Sequence, residues 1–147
     1  GWATFYCTPE FMENNGDLLR RLAVSGSAVG LLLDPEDPAE SLDQQLKRGN
    51  DALYRATLTR TRLVYADGGE ETLQALEQLG YSCLTPDMDR TDYKLESAAN
   101  AAALLKRVSA RRRDMSVWLG TTASAAGVKE FVSSAQREGH YCRAMTE

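Results

Sequence analysis

The stretch Ser25-Gly26-Ser27-Ala28-Val29-Gly30-Leu31-Leu32-Leu33-Asp34-Pro35-Glu36-Asp37-Pro38 decides the fold. Glycine is the residue that closes a helix in the left-handed conformation, so Gly26 predicts a helix end. The next six residues, 28–33, are apolar without in/out alternation, the pattern of a strand covered on both faces of a parallel sheet. Asp37-Pro38-Ala39-Glu40 then predicts a helix start: an Asp N-cap, proline in the first turn and a carboxylate at the third position. Helix, glycine, strand, acidic loop, helix is one unit of an alternating chain.

The unit recurs on both sides. Upstream, Ala3-Thr4-Phe5-Tyr6-Cys7 is a predicted strand, and Leu18, Leu19 and Leu22 share one face of a helix near 17–24. Downstream, Leu42, Leu46, Gly49, Leu53 and Ala56 recur at helical spacing before a strand at Leu63-Val64-Tyr65-Ala66. A helix carrying Leu73, Leu76 and Leu79 ends at Gly80 and leads into a strand at 81–84. An irregular stretch, 86–94, precedes a helix with Ala101, Leu104, Leu105 and Val108. A strand at 115–119, a helix with Val128, Phe131, Val132 and Ala135 closed by Gly139, and a strand at 141–145 complete the series. This predicts about six strands and five helices in an α/β fold with right-handed parallel crossovers. The pattern leaves two architectures open, a doubly wound sheet and an incomplete β/α barrel, since a closed eight-fold barrel needs about 200 residues or more. No Gly-x-Gly-x-x-Gly or Walker-type loop follows the first strand, so a nucleotide site is unsupported.

At 147 residues the chain is expected to form a single domain, 1–147, and its 43% apolar and 26% charged content is globular. A net charge of −4 argues against a dedicated nucleic-acid binder. No apolar run reaches membrane-spanning length, and Gly1-Trp2-Ala3-Thr4-Phe5 lacks a signal-peptide pattern. Gly1 reads as a cut point, with room upstream for an anchor or leader. Cys7, Cys83 and Cys142 are widely spaced in apolar segments, which favours buried thiols, with a disulfide between two of them left open.

There is one histidine, His140, seven positions from the end. Triads, zinc sites and most acid–base pairs at neutral pH depend on imidazole, so the usual hydrolytic constellations lack their main component. Asp34, Glu36 and Asp37 follow the second strand, where barrel sites form, and make a weak cation site. The stronger reading takes Asp37 as a helix cap and the others as solvated loop charges. Asp89, Asp92 and Tyr93 lie in the longest irregular loop and are the best candidates for a groove. Trp118, between Val117 and Leu119, is expected to pack in the core, and Trp2 to be exposed. Arg111-Arg112-Arg113 is read as cations at a helix C-terminus.

Read in order, the segments resemble the polysaccharide deacetylases of the NodB-homology family. Trp2-Ala3-Thr4-Phe5-Tyr6-Cys7 resembles the family's "ATFF" strand, and Asn14-Asn15-Gly16-Asp17-Leu18-Leu19-Arg20-Arg21-Leu22 its "NPDLVRRI" helix. Ser25-Gly26-Ser27-Ala28-Val29-Gly30 is similar to "AGHEIG", Leu73-Gln74-Ala75-Leu76-Glu77-Gln78-Leu79-Gly80-Tyr81 to "LEALKELGY", and Asp89-Arg90-Thr91-Asp92-Tyr93 to "DSxDW". The resemblance covers nearly the whole chain. It implies a distorted, incomplete β/α barrel of the polysaccharide deacetylase type. In that family a divalent metal, a carboxylate base and a histidine acid remove acetyl groups from N-acetylglucosamine polymers.

The resemblance also assigns places to these groups. Leu32 falls at the first metal histidine of "NHTxSHP" and Glu36 near the second; Tyr65 falls at the arginine of "RPPYG", and Leu119 at the histidine of "LLHD". The paired aspartates of "TFDDG", with the family's first strand, would precede Trp2. His140 matches no catalytic position. The expectation is therefore a catalytically inactive domain of a secreted or cell-envelope bacterial protein, with no catalytic residues, no metal and no cofactor. Its groove would comprise Asp89, Asp92, Tyr93, Tyr65 and Leu119, and its partner would be a cell-wall or other N-acetylated polysaccharide. Two alternatives stand beside it: a divergent zinc- or other metal-dependent deacetylase using Asp34, Glu36, Asp89 and Asp92, and a module binding a partner domain at an open sheet edge.

Overall fold

The computed structural model describes residues 3–87, 95–111, 115–119 and 124–144. The chain divides into two compact units, one holding the described residues of 3–84 with 143–144, the other those of 85–142.

The first unit begins with β1, Thr4–Cys7, and a short helix α1, Pro9–Asn14. Thr8 starts α1, its hydroxyl accepting from the Phe11 N–H at 3.1 Å, with Pro9 at the first helical position. Helix α2, Gly16–Val24, ends where Gly26 takes φ 84°, and β2 spans Ala28–Leu33. Helix α3, Leu42–Thr57, is followed by β3, Leu63–Ala66, then α4, Glu70–Gln78, and β4, Ser82–Cys83. The four strands form one parallel sheet in the order β1-β2-β3-β4. The parallel α/β class expected from the sequence is the one observed.

Two expectations about α3 and α1 are corrected. Ser41, not Asp37, caps α3: its hydroxyl accepts from the Gln44 N–H while the Gln44 side chain accepts from the Ser41 N–H, a complete capping box. Asp37 instead accepts from the Ala39 N–H at 2.7 Å, closing a local turn within the loop. Helix α1 was not expected, because six residues are too few to display an apolar period.

Ladder register sorts the side chains into two faces, since partners across a parallel ladder point the same way and neighbours along a strand alternate. Cys7 pairs with Leu31, Leu31 with Val64, and Leu33 with Ala66. These join Met12, Leu19, Leu46, Leu53 and Leu76 in one buried core, so α1 to α4 cover this face. The other face carries Tyr6 opposite Gly30, and Leu32 opposite Tyr65. Helix α3 packs closest: a Cβ at Gly49 would stand 2.2 Å from the Leu31 Cδ2.

The second unit holds a short 3₁₀ turn, Ala98–Asn100, leading into α5, Ala101–Ala110, and then α6, Ala125–Arg137. Its core gathers Leu95, Ala101, Leu104, Leu105, Phe131 and Ala135. Ser124 caps α6 by accepting from the Gly127 N–H at 2.9 Å. A Cβ on Gly127 would meet the carbonyl oxygens of Ser97 and Leu95 at 2.9 and 3.0 Å, so only glycine lets α6 sit against that turn. Gly80 and Gly139 take φ 90° and 87°, as helix-closing glycines should. Two expected strands are corrected. Val117 forms one isolated bridge within 115–119, and 141–144 join no ladder among the described residues. Six α-helices and four strands are therefore seen among the described residues, against five and six expected.

Candidate functional site

The C-terminal ends of parallel strands are where α/β folds place their sites, and here that rim is formed by the ends of β2 and β3. Leu32 and Tyr65 are direct register partners there, half-buried, on the face away from α1 to α4. The Tyr65 ring meets Tyr6 edge-on, centroids 6.3 Å apart at 62°. Tyr6 in turn lies over Gly30, whose missing side chain makes room for the ring. This part of the face is thus two phenol rings and a leucine, a surface for packing and for van der Waals contact with a ligand.

The acidic loop at the same rim is held from below. Gln45, buried in α3, accepts from the Asp34 N–H at 2.9 Å and donates to the carbonyls of Asp34 and Glu40 at 2.8 and 3.2 Å. Arg48 pairs with Glu13 of α1 at 2.6 Å and with Glu40. These bonds fix the loop path. They also engage its acids: Asp34 Oδ1 accepts from the Glu36 N–H at 3.0 Å, and both side chains are exposed.

Burial raises the ionisable groups of the sheet. The Cys7 thiol is pushed up to about 11, and Tyr6 is raised by burial and then by the charge of Cys83. Cys83 is raised by burial first and the Glu77 carboxylate second. All three cysteines are free thiols, Cys7 buried and the others half-buried. Burial therefore holds Cys7 and Cys83 as thiols, away from the activated thiolate that nucleophilic chemistry needs at neutral pH.

Of the residues singled out from the sequence, Leu32, Tyr65, Asp34 and Glu36 lie on the rim of the first unit. Leu119 belongs to the second unit, where it packs against the Phe131 core with Val117 and Met115. Trp118 is half-buried. Asp89, Asp92, Tyr93, Trp2, Arg112 and Arg113 lie outside the described residues. Arg111 follows the last residue of α5, as a cation at a helix end should. The contribution of Gln45 was missed, although a glutamine four residues into a helix beside an acidic loop is its only sequence signal.

The fold compares with several solved structures. A polysaccharide deacetylase from Bacillus cereus, Bc1974, superposes with a TM-score of 0.76 at 17% identity, over 99% of this chain and 80% of its own. The fold is deacetylase-like. The peptidoglycan deacetylase PdaC from Bacillus subtilis gives 0.76 at 18% identity, over 99% of this chain and 74% of its own. BA3943 from Bacillus anthracis, a CE4 family pseudoenzyme, gives 0.71 at 17%, over 98% of this chain and 54% of its own. These likenesses establish a CE4-type partial barrel fold. No family model matches the sequence, and no curated protein does.

The metal that this fold family implies can be tested against the residues present. Zinc takes three or four nitrogen, sulfur or carboxylate donors in a tight tetrahedral set. Among the described residues no three His, Cys, Asp or Glu side chains are gathered closely enough to hold an ion. Leu32 offers no donor, and Asp34 spends an oxygen on its own loop. The described rim does not fit a zinc centre.

Proposed function

We propose that this chain is a polysaccharide-deacetylase-like domain without deacetylase activity, serving as a glycan-binding or scaffolding module of a bacterial cell-envelope protein. The observation that carries the reading is the pairing of Leu32 with Tyr65 at the rim, on the sheet face away from α1 to α4. Those are the positions where the resemblance implies a metal histidine and an arginine. Metal-assisted amide hydrolysis needs a Lewis acid, a base and a proton donor, and an aliphatic side chain beside a phenol supplies neither the imidazole ligand of the metal nor the carboxylate base.

The comparisons support the reading in two respects. Matches that run through 97–99% of this chain favour treating both units as parts of one domain. BA3943 shows that a CE4 scaffold can persist as a pseudoenzyme, and a mutant of it is described as having restored enzymatic activity. The glycan preference follows by analogy with a peptidoglycan N-acetylglucosamine deacetylase of the same fold. Within the first unit, this reading assigns the sugar chain to the rim that carries Tyr65.

The test is acetate release from N-acetylglucosamine oligomers in the presence of added zinc or cobalt. The expected outcome is no release above a protein-free control, with retention of the protein on an insoluble N-acetylated polysaccharide. Release of acetate would overturn the reading.

A further inference from the structure

Arg60 stands in the lining of two clefts of the first unit, away from the Leu32–Tyr65 rim. One cleft, of about 410 Å³, lies at the N-terminal ends of β2 and β3, with Ser27, Thr57, Thr59 and Arg60 on its wall. The other, of about 390 Å³, runs between α3 and the 79–81 segment, with Asp43, Lys47, Asp51, Arg60 and Tyr81 on its wall. Both volumes fall in the range of small-molecule sites, about 300–1,000 Å³.

The other arginines nearby have structural work. Arg20 donates to the Ala56 carbonyl at the end of α3, and Arg55 sits in the last turn of that helix. Arg60 caps nothing. Its guanidinium lies 4.2 Å from the centroid of the Tyr54 ring, and among the described residues it makes no hydrogen bond or ion pair. Stacking uses the flat face of the guanidinium and leaves its five N–H groups pointing outward along the edge. Tyr54 therefore holds an arginine fork in place with its donors available. From Ala52 to Ala66 the chain has three arginines and no acidic residue; the nearest carboxylate in sequence, Asp51, feels the Arg60 charge but takes its hydrogen bond from Lys47.

We propose that Arg60 anchors a second binding site, for a sugar ring carrying a carboxylate or a phosphate. A planar fork suits either oxyanion, which it can grip through two parallel hydrogen bonds. The hydroxyls of Ser27 and Thr59 on one side, and the carboxylates of Asp43 and Asp51 on the other, are partners for ring hydroxyls. Asp51 is already held ionised, chiefly by Lys47 at 2.8 Å, and so acts as an acceptor. The proposal does not depend on whether the rim binds glycan or retains any activity.

Glucuronate, glucose 6-phosphate and neutral glucose are titrated into the full chain, followed by calorimetry and by the arginine Nε–H signals in NMR spectra. The expected result is saturable binding of the two charged sugars with a shift of the Arg60 signal, and none with glucose. The tighter of the two charged sugars identifies the oxyanion. Arg60→Gln should weaken binding by about tenfold or more, the loss of a charge-assisted pair, while Arg21→Gln leaves it unchanged. Arg60→Lys, which keeps the charge and loses the fork, should also weaken it. Both sites are exposed, and the same spectra report whether each variant is folded. Undiminished binding by Arg60→Gln, equal binding of glucose, or no saturable shift at millimolar sugar would overturn the proposal.

Discussion

The ring of Tyr6 lies over Gly30 across the β1–β2 ladder, so that a Cβ on Gly30 would come within 2.7 Å of the Tyr6 Cδ1 and Cε1 atoms. The Leu63 carbonyl oxygen, 3.1 Å from the same point, closes the other side. Gly30→Ala should therefore destabilise the fold by about 1–3 kcal/mol, as overpacking does. Tyr6→Leu in the same chain should recover part of that loss. A double-mutant cycle in urea would show coupling; simple additivity would mean that the ring gives way freely.

Asn50 is the buried clasp of the 58–61 turn. Its Oδ1 accepts from the Thr61 N–H at 2.8 Å, and its Nδ2 donates to the Thr61 carbonyl at 3.3 Å. Asn50→Leu leaves both backbone groups without that partner, at a cost of about 1–3 kcal/mol for each group that water cannot reach. Thermal unfolding should show the loss, and amide exchange at Thr61 should accelerate. Unchanged exchange would show that Thr61 finds another partner.

Stability should fall at alkaline pH. Cys7 is raised from 9.0 to about 11 in the folded chain, so between those values the unfolded chain has lost the proton that the folded chain keeps. With fewer protons on the unfolded state, the free energy of unfolding decreases as pH rises. The contribution is complete below pH 9 and is lost through about pH 11; Tyr6 and Cys83 shift in the same direction and add to the fall. Cys7→Ala should flatten the profile over this window in urea titrations. A wild-type profile that is level from pH 8 to 11 would contradict the burial of the thiol.

Zinc should not stabilise the chain. A ligand that binds only the folded state at a hundred times its dissociation constant adds about 2.7 kcal/mol, which a melting curve detects easily. With Asp34 engaged in its own turn and Leu32 beside Tyr65 at the rim, the expected change in Tm with micromolar zinc is nil, for the wild type and for Glu36→Ala alike. A saturable rise that Glu36→Ala removes would restore the metalloenzyme alternative.

Much of the fold was legible because its signals are local. The bounds of β2 and β3 match the apolar runs at 28–33 and 63–66, and the closing glycines at 26, 80 and 139 take the left-handed conformation their sequence context required. The runs at 115–119 and 141–145 carry the same apolar signal, but a strand exists only where a ladder partner meets it, and pairing is not written in the run itself. At the start of α3 two cap signatures stood four residues apart, Asp37-x-x-Glu40 and Ser41-x-x-Gln44; Asp37 closes a turn with the Ala39 N–H and Glu40 pairs with Arg48, which leaves the reciprocal box to Ser41 and Gln44. At the site, the adjacency of Leu32 and Tyr65 could be read only through family resemblance, since strand register is a long-range property. Gln45 was invisible for a different reason: its partners are backbone atoms of a loop, which leave no mark on side-chain pattern.

That glutamine has a practical corollary. Because an amide inside α3 grips the 34–40 loop through main-chain atoms at both ends, and Asp34, Asp37 and Glu40 carry the loop's side-chain contacts, the Glu36 side chain is left without a structural task. A side chain grafted at 36 would inherit a backbone trajectory already set, beside a position 32 fixed by the β2–β3 ladder, which makes this pair the natural place to begin rebuilding a metal-ligand set.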